Sequence, residues 1–328
     1  CFKRVKQNTR KEIAGSSPRL LKTLSALNFT GLNIKKMKIG VITDGISRDL
    51  EHALEVMSEF GLQYAELQFL WDKMVGDLDA AEVKTVKGLL AARDMHVPCI
   101  SPHCFSQLSV MDRSTNDAEY RKQMNTFKRC VDIAHVLGSP LVRIMGFRRE
   151  MVLFGSGGAE HWNVAKGAWD YFIDLVRPVV EVAEQEDLTL VLETETAGMA
   201  HSAYLAAKLN SDIDSRHFQV LWDPANCLFG AEAAFPDGYG LLKDCLGHVH
   251  IKDNRAWMRE SRLEQVAYGT GGMSAYLADI GGALRADGYQ GAISLEPVYK
   301  PQGGSFEDGF RQSIRSFIRD FGSPPVKN

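Results

Sequence analysis

The chain has 328 residues, 45% of them hydrophobic and 24% charged, with 38 basic against 41 acidic side chains and a formal net charge of −3. That composition suits a globular protein with a sizeable core, excludes a disordered or collagen-like chain, and provides no global basic field for a nucleic-acid backbone. The six cysteines form no CxxC pair, which points to a reducing, cytoplasmic setting, and no apolar run reaches the roughly 18 residues that a membrane span needs.

Residues 1–36 set Lys3, Arg4, Lys6, Arg10, Lys11, Arg19, Lys22, Lys35 and Lys36 among polar neighbours with weak periodicity. They read as a basic N-terminal extension, artefactual or disordered, outside the fold. The fold is expected over 37–322, with 323–328 as a short tail. Strand patterns follow at Lys38 to Thr43, Tyr64 to Phe69, Val97 to His103, Leu141 to Met145, Thr189 to Glu193, Phe218 to Asp223, His248 to Lys252 and Ala292 to Glu296. Helical spacing fills the gaps, at Leu50 to Phe60, Ala80 to Arg93, Glu119 to Leu137, Ala168 to Glu186, Ala200 to Leu209, Ala275 to Asp287 and Phe306 to Phe321. The stretch from Ala231 to Leu246 is broken by Pro236, Gly238 and Gly240. Glycines at 61, 138 and 288 mark helix stops. Short strands alternating with helices predict a parallel sheet, and eight such units predict a (β/α)₈ TIM barrel; no GxGxxG follows the first strand to favour an open, doubly wound sheet.

In such a barrel the site forms at the C-terminal ends of the strands. Four strands of the second half end in a hard ligand: Glu193 in VLETE, Asp223 in LWDPAN, His250 in HVHIKD and Glu296 in SLEP. Three carboxylates and an imidazole converging there suit Mn²⁺, Mg²⁺ or Co²⁺, with Zn²⁺ a further candidate. His248 faces the same way as His250 but lies deeper, as a core residue. Arg143, in mid-strand, is costly to point inward unless it meets a carboxylate or an anionic substrate. Glu66, Gln68 and His103 are further polar residues of the early strands, and His103 suits a hydroxyl or phosphate contact. Glu195 either hydrogen-bonds substrate or caps a helix. Trp71, Trp162 and Trp257 fall in loops where a ring could stack on a sugar. Glycines at 269, 271, 272, 303 and 304 could cradle a phosphate or simply make turns, and Gly155 to Gly158 could act as a lid.

The LExx strand, WDPAN, HVHIKD and the GYxGxxSLEP stretch, Gly288 to Pro297, resemble the xylose-isomerase-like TIM barrels, over about Met37 to Phe321. That superfamily contains sugar isomerases, ketose 3-epimerases, inosose dehydratases and apurinic endonucleases. The resemblance implies that Glu193, Asp223, His250 and Glu296 bind one divalent metal, that Glu193 and Glu296 are the catalytic acid and base, and that the ligand is a small sugar or sugar phosphate. The expected activity is an isomerase or epimerase working through an enediolate. The alternatives are an inosose-type dehydratase or a non-catalytic sugar-binding barrel. Asn226 stands where the endonucleases carry a further histidine, which removes a nuclease ligand. Arg255 follows His250 by five residues rather than the six of ketose 3-epimerases. With His103, Glu195 and Trp257, these two complete the expected substrate contacts, and barrels of this kind often pair as homo-oligomers.

Overall fold

The first stave, Lys38–Ile42, lies between the second, Tyr64–Glu66, and the eighth, Ala292–Leu295, in a sheet whose strands all run parallel. Continuing round, the eighth pairs with the seventh, Leu246–Ile251, then the sixth, Phe218–Trp222, the fifth, Thr189–Glu193, and the fourth, Leu141–Ile144. This computed structural model describes residues 37–151, 167–228, 232–260 and 262–322. The N-terminal extension, the C-terminal tail, Trp162 and the Gly155 to Gly158 loop lie outside the described residues.

The third stave corrects the sequence expectation. Val97 to His103 is not a regular strand; it is tied in by isolated parallel bridges, Tyr64 with His96, and Ile100 with both Leu67 and Val142. Pro98 and Pro102 explain this, because neither can donate to a ladder. Ile100 still links the second stave to the fourth, so the ring closes as a (β/α)₈ barrel.

Three further differences concern lengths. The second strand stops at Glu66, and Phe69–Leu70 pairs with Lys73–Met74 as a hairpin. The seventh stave starts at Leu246 and is followed by a second hairpin, Asn254–Trp257 with Arg262–Gln265. The broken stretch before it contains the short turns Ala234–Gly238 and Tyr239–Leu242. Elsewhere the periodic segments are the outer helices, including Leu50–Glu59, Ala118–Leu137, Ala168–Gln185, Ala203–Ile213 and Phe306–Phe321. Gly61, Gly138 and Gly288 take left-handed φ values of 67°, 71° and 68°, as the helix stops require.

Side chains alternate along each stave, and this alternation builds the interior in layers. Cys99, Leu141, Val191 and Leu221 form a separate buried apolar cluster. Two residues further along the same four segments come Ser101, Arg143, Glu193 and Asp223, a fully polar layer above that floor. Between the sixth and seventh staves the register shifts, Val220 opposing Leu246 and Leu221 opposing His248, so that Gly247 is bulged. A Cβ at Gly247 would meet Val191 Cγ1 at 2.7 Å, and glycine is what lets the staves close there. No helix among the described residues is long and apolar enough to cross a membrane.

Candidate active site

Glu193 ends the fifth stave, Asp223 follows the sixth, His250 sits near the end of the seventh, and Glu296 follows the eighth. Ser294 is level with His250 in the sheet, so Glu296 comes level with Lys252. Ligand atoms of Glu193, His250 and Glu296 all lie within 4.8 Å of one another. Asp223 is joined to this group through Lys252, whose Nζ is 2.7 Å from Asp223 Oδ2 and 2.8 Å from Glu296 Oε2.

Each of the four residues is gripped from behind by a different device. Arg143 Nη1 donates to Glu193 Oε2 at 2.7 Å, and Arg143 Nη2 donates to the Ser101 carbonyl at 2.6 Å and to Gln68 Oε1 at 3.1 Å. Asp223 Oδ1 accepts from the backbone N–H groups of Ala225 and Asn226 at the start of the short helix Pro224–Leu228. His250 Nε2 is 2.7 Å from Glu66 Oε1, and Lys252 holds Glu296. Glu193 Oε1 and His250 Nδ1 are left facing one another at 3.7 Å.

The charges follow from these partners. Burial would raise the Glu193 carboxyl, but Arg143 and His250 outweigh it and hold it well below the ordinary range. Burial would likewise disfavour charge on His250, yet the Glu66 and Glu193 carboxylates lift its imidazole up to about 10. Lys252 is buried, and Asp223 and Glu296 nonetheless raise its ammonium, so it stays charged. Glu195, two residues past Glu193, accepts from the Gly146 N–H at 2.9 Å; burial, reinforced by the Glu193 charge, pushes its carboxyl up to about 7.

The remaining expected contacts divide. His103 lies at the mouth, its ring edge-on to Phe69 at 5.2 Å, and the enclosure of its ring together with the Arg143 charge lowers it to about 4. Asn226 is buried, and its Nδ2 donates to the Thr194 carbonyl at 2.9 Å, which ties the fifth stave's end to the sixth. Arg255 and Trp257 are exposed on the second hairpin, where Arg255 donates to the Thr270 carbonyl and Trp257 Nε1 to Glu264. They do not join the cluster. The glycine loop after the seventh stave turns inward: the N–H groups of Gly271 and Met273 go to the Asp253 carboxylate. Before the last helix, Ser305 and Asp308 satisfy each other in a capping box. Two loops with phosphate-cradle spacing thus give these donors to internal partners.

Lys252 and Glu66 carry more of this site than their sequence context suggests. From the sequence, Lys252 and Asp253 are the two candidates to orient His250 or a metal-bound water; Lys252 instead holds Asp223 and Glu296. Beside Glu296 a cavity of about 580 Å³ opens at the mouth, with Asp44, Arg48, Gln68, Phe69 and Phe306 among its walls.

The donor set fits a divalent cation. His250 Nδ1 is fully enclosed and makes no hydrogen bond among the described residues, and Glu193 and Glu296 share its cluster. Carboxylate oxygens with one imidazole nitrogen suit Mn²⁺, Mg²⁺ or Zn²⁺.

Comparison with solved structures finds the same architecture. L-ribulose 3-epimerase superposes with a TM-score of 0.63 at 16% identity, over 87% of this chain and 94% of that one. The probable 3-DHS dehydratase AsbF from Bacillus anthracis gives 0.62 at 13%, over 84% and 98%. The IOLI protein with a bound zinc atom gives 0.62 at 15%, over 87% and 98%. No curated protein sequence matches the chain. At such identities the structural likeness establishes the fold alone. A family model for the xylose isomerase-like TIM barrel spans residues 54–321, from the first helix to the last. With the barrel closed by the same staves that deliver its polar ends, the chain belongs to the xylose isomerase-like TIM barrel family.

Proposed function

We propose that the protein is a divalent-cation-dependent isomerase or epimerase of a small sugar. The observation that carries this reading is the convergence of Glu193, His250 and Glu296 within 4.8 Å at the ends of their staves, with Asp223 tied in by Lys252. Glu193, Asp223, His250 and Glu296 would hold the ion. When bound, the cation draws electron density from the substrate carbonyl and so acidifies the neighbouring C–H.

Arg143 keeps Glu193 ionised and occupies Oε2, so Oε1 is the oxygen placed to take a proton from carbon. Glu296, three staves round the ring, has Oε2 held by Lys252; its other oxygen takes a proton from solvent and passes it to carbon from its own side, and the proton gained by Glu193 leaves to solvent, which restores both carboxylates. Return to the same carbon from the opposite face gives an epimer, and return to the adjacent carbon gives an aldose–ketose isomer. Asp223 and His250, both fully buried, keep the arrangement rigid and exclude water. The fold neighbours include a sugar epimerase and a dehydratase, so the same residues also support expulsion of a hydroxyl as the second reading.

Incubation with a panel of aldoses and ketoses in D₂O with Mn²⁺, Co²⁺ or Mg²⁺ tests this. Deuterium at C3 identifies an epimerase, deuterium at C1 or C2 an isomerase, and an ultraviolet-absorbing enone the dehydratase. Glu193→Gln and Glu296→Gln are each expected to lower turnover by roughly 10²–10⁴-fold while sugar binding persists. Binding of sugars without exchange or elimination across the panel would assign a non-catalytic barrel instead.

A further inference from the structure

The second stave ends in Glu66, a carboxylate with no exposure, between two histidines of the seventh stave. His250 Nε2 lies 2.7 Å from Glu66 Oε1, and His248 Nε2 lies 2.7 Å from Glu66 Oε2. The Ser101 hydroxyl donates to Oε1 as well, and Ser294 Oγ is 3.3 Å from His248 Nε2. Both rings are fully buried. A carboxylate has acceptors only, so at each of these short contacts the nitrogen must carry the hydrogen. In either charge state of His250, therefore, Nε2 keeps its proton and is committed to Glu66. The nitrogen left for a lone pair is Nδ1, the atom 3.7 Å from Glu193 Oε1 that makes no hydrogen bond among the described residues.

We propose that Glu66 is a positioning residue that fixes the tautomer and ring orientation of His250, so that Nδ1 is the atom presented to the cation. His248 has the complementary part. It occupies the second oxygen of Glu66 and prevents the carboxylate from turning away, which accounts for two histidines on one stave where one would serve as ligand. The arrangement follows the general pattern in which a metal-binding histidine gives its other N–H to a carboxylate, whose loss typically weakens metal binding 10–100-fold. The Glu66, His248 and His250 group is then a hydrogen-bond network that backs His250 and not a second ion site. This inference rests on the cation reading of Glu193, Asp223, His250 and Glu296.

The 328-residue chain, ¹⁵N-labelled at histidine and loaded with ¹¹³Cd²⁺, decides the matter through long-range ¹H–¹⁵N correlation of the rings. The expected result is His250 protonated on Nε2 with cadmium coupling to Nδ1. Coupling to Nε2 of either histidine would overturn the proposal while leaving a metal site in place. Failure of both Cd²⁺ and Mn²⁺ to bind would overturn the cation reading and this proposal together. In parallel, Glu66→Gln is expected to weaken Mn²⁺ binding by roughly 10–100-fold in calorimetry. A merely structural Glu66 would lower the melting temperature with Mn²⁺ affinity unchanged, which also counts against the proposal. If that variant does not fold, the labelled wild-type protein still gives the answer.

Discussion

Lys252 is buried with its ammonium between two carboxylates of different staves, and this makes it the residue whose removal is easiest to read. Lys252→Met leaves Asp223, which is fully buried, without its cationic partner. Breaking a buried pair from one side costs about 3–5 kcal/mol, far more than an exposed ion pair would. Urea denaturation in EDTA is therefore expected to show a loss of that size. The gap between variant and wild type should narrow in saturating Mn²⁺, because a bound dication supplies the missing positive charge and stabilises the folded state by mass action. An unchanged midpoint in EDTA would mean that Lys252 contributes no net stability where it sits.

Among the elements, the helix Ala203–Ile213 shows how a loop is tied to the frame. Its first turn contains no acidic residue, and besides Ser202 it is capped from a distance by Glu232, which accepts from the N–H groups of Ala203 and Tyr204. Glu232→Ala should cost about 1 kcal/mol, from the lost cap and its interaction with the helix dipole. That corresponds to roughly 2 °C in a thermal melt. The helices and most staves were legible because each has its own periodicity and stop signals, as in Ala168 to Glu186 and Phe306 to Phe321. The third stave differs from its sequence pattern because the run Val97 to Ile100 has strand chemistry while Pro98 and Pro102 remove the donors. The polar ends Glu193, Asp223, His250 and Glu296 stand out one stave at a time. Arg143 in mid-strand already calls for a carboxylate or an anion, but the pairings themselves, Arg143 with Glu193 and Glu66 with His250, join staves 50 and 184 residues apart, which no local pattern encodes.

At the scale of the whole molecule, the ladder is continuous from the second stave through the first and eighth to the fourth, and weakest at the third. Hydrogen exchange should reflect this. Amides of Cys99, Ile100 and Ser101 are expected to exchange faster than those of Val191, Leu221 and Val249, which lie within regular strands. Equal protection would show that the bridges at His96 and Ile100 hold as firmly as a full ladder. The fifth to eighth staves, whose ends carry Glu193, Asp223, His250 and Glu296, lie together in the continuous part.

Arg143 stands where these levels meet. One guanidinium nitrogen sets Glu193, and the other reaches the carbonyls of Ser101 and Pro102 in the segment where proline has left the ladder incomplete. A single side chain therefore both stitches the ring and arms its rim. Replacing Arg143 would loosen the third stave together with Glu193, whatever use the rim is put to.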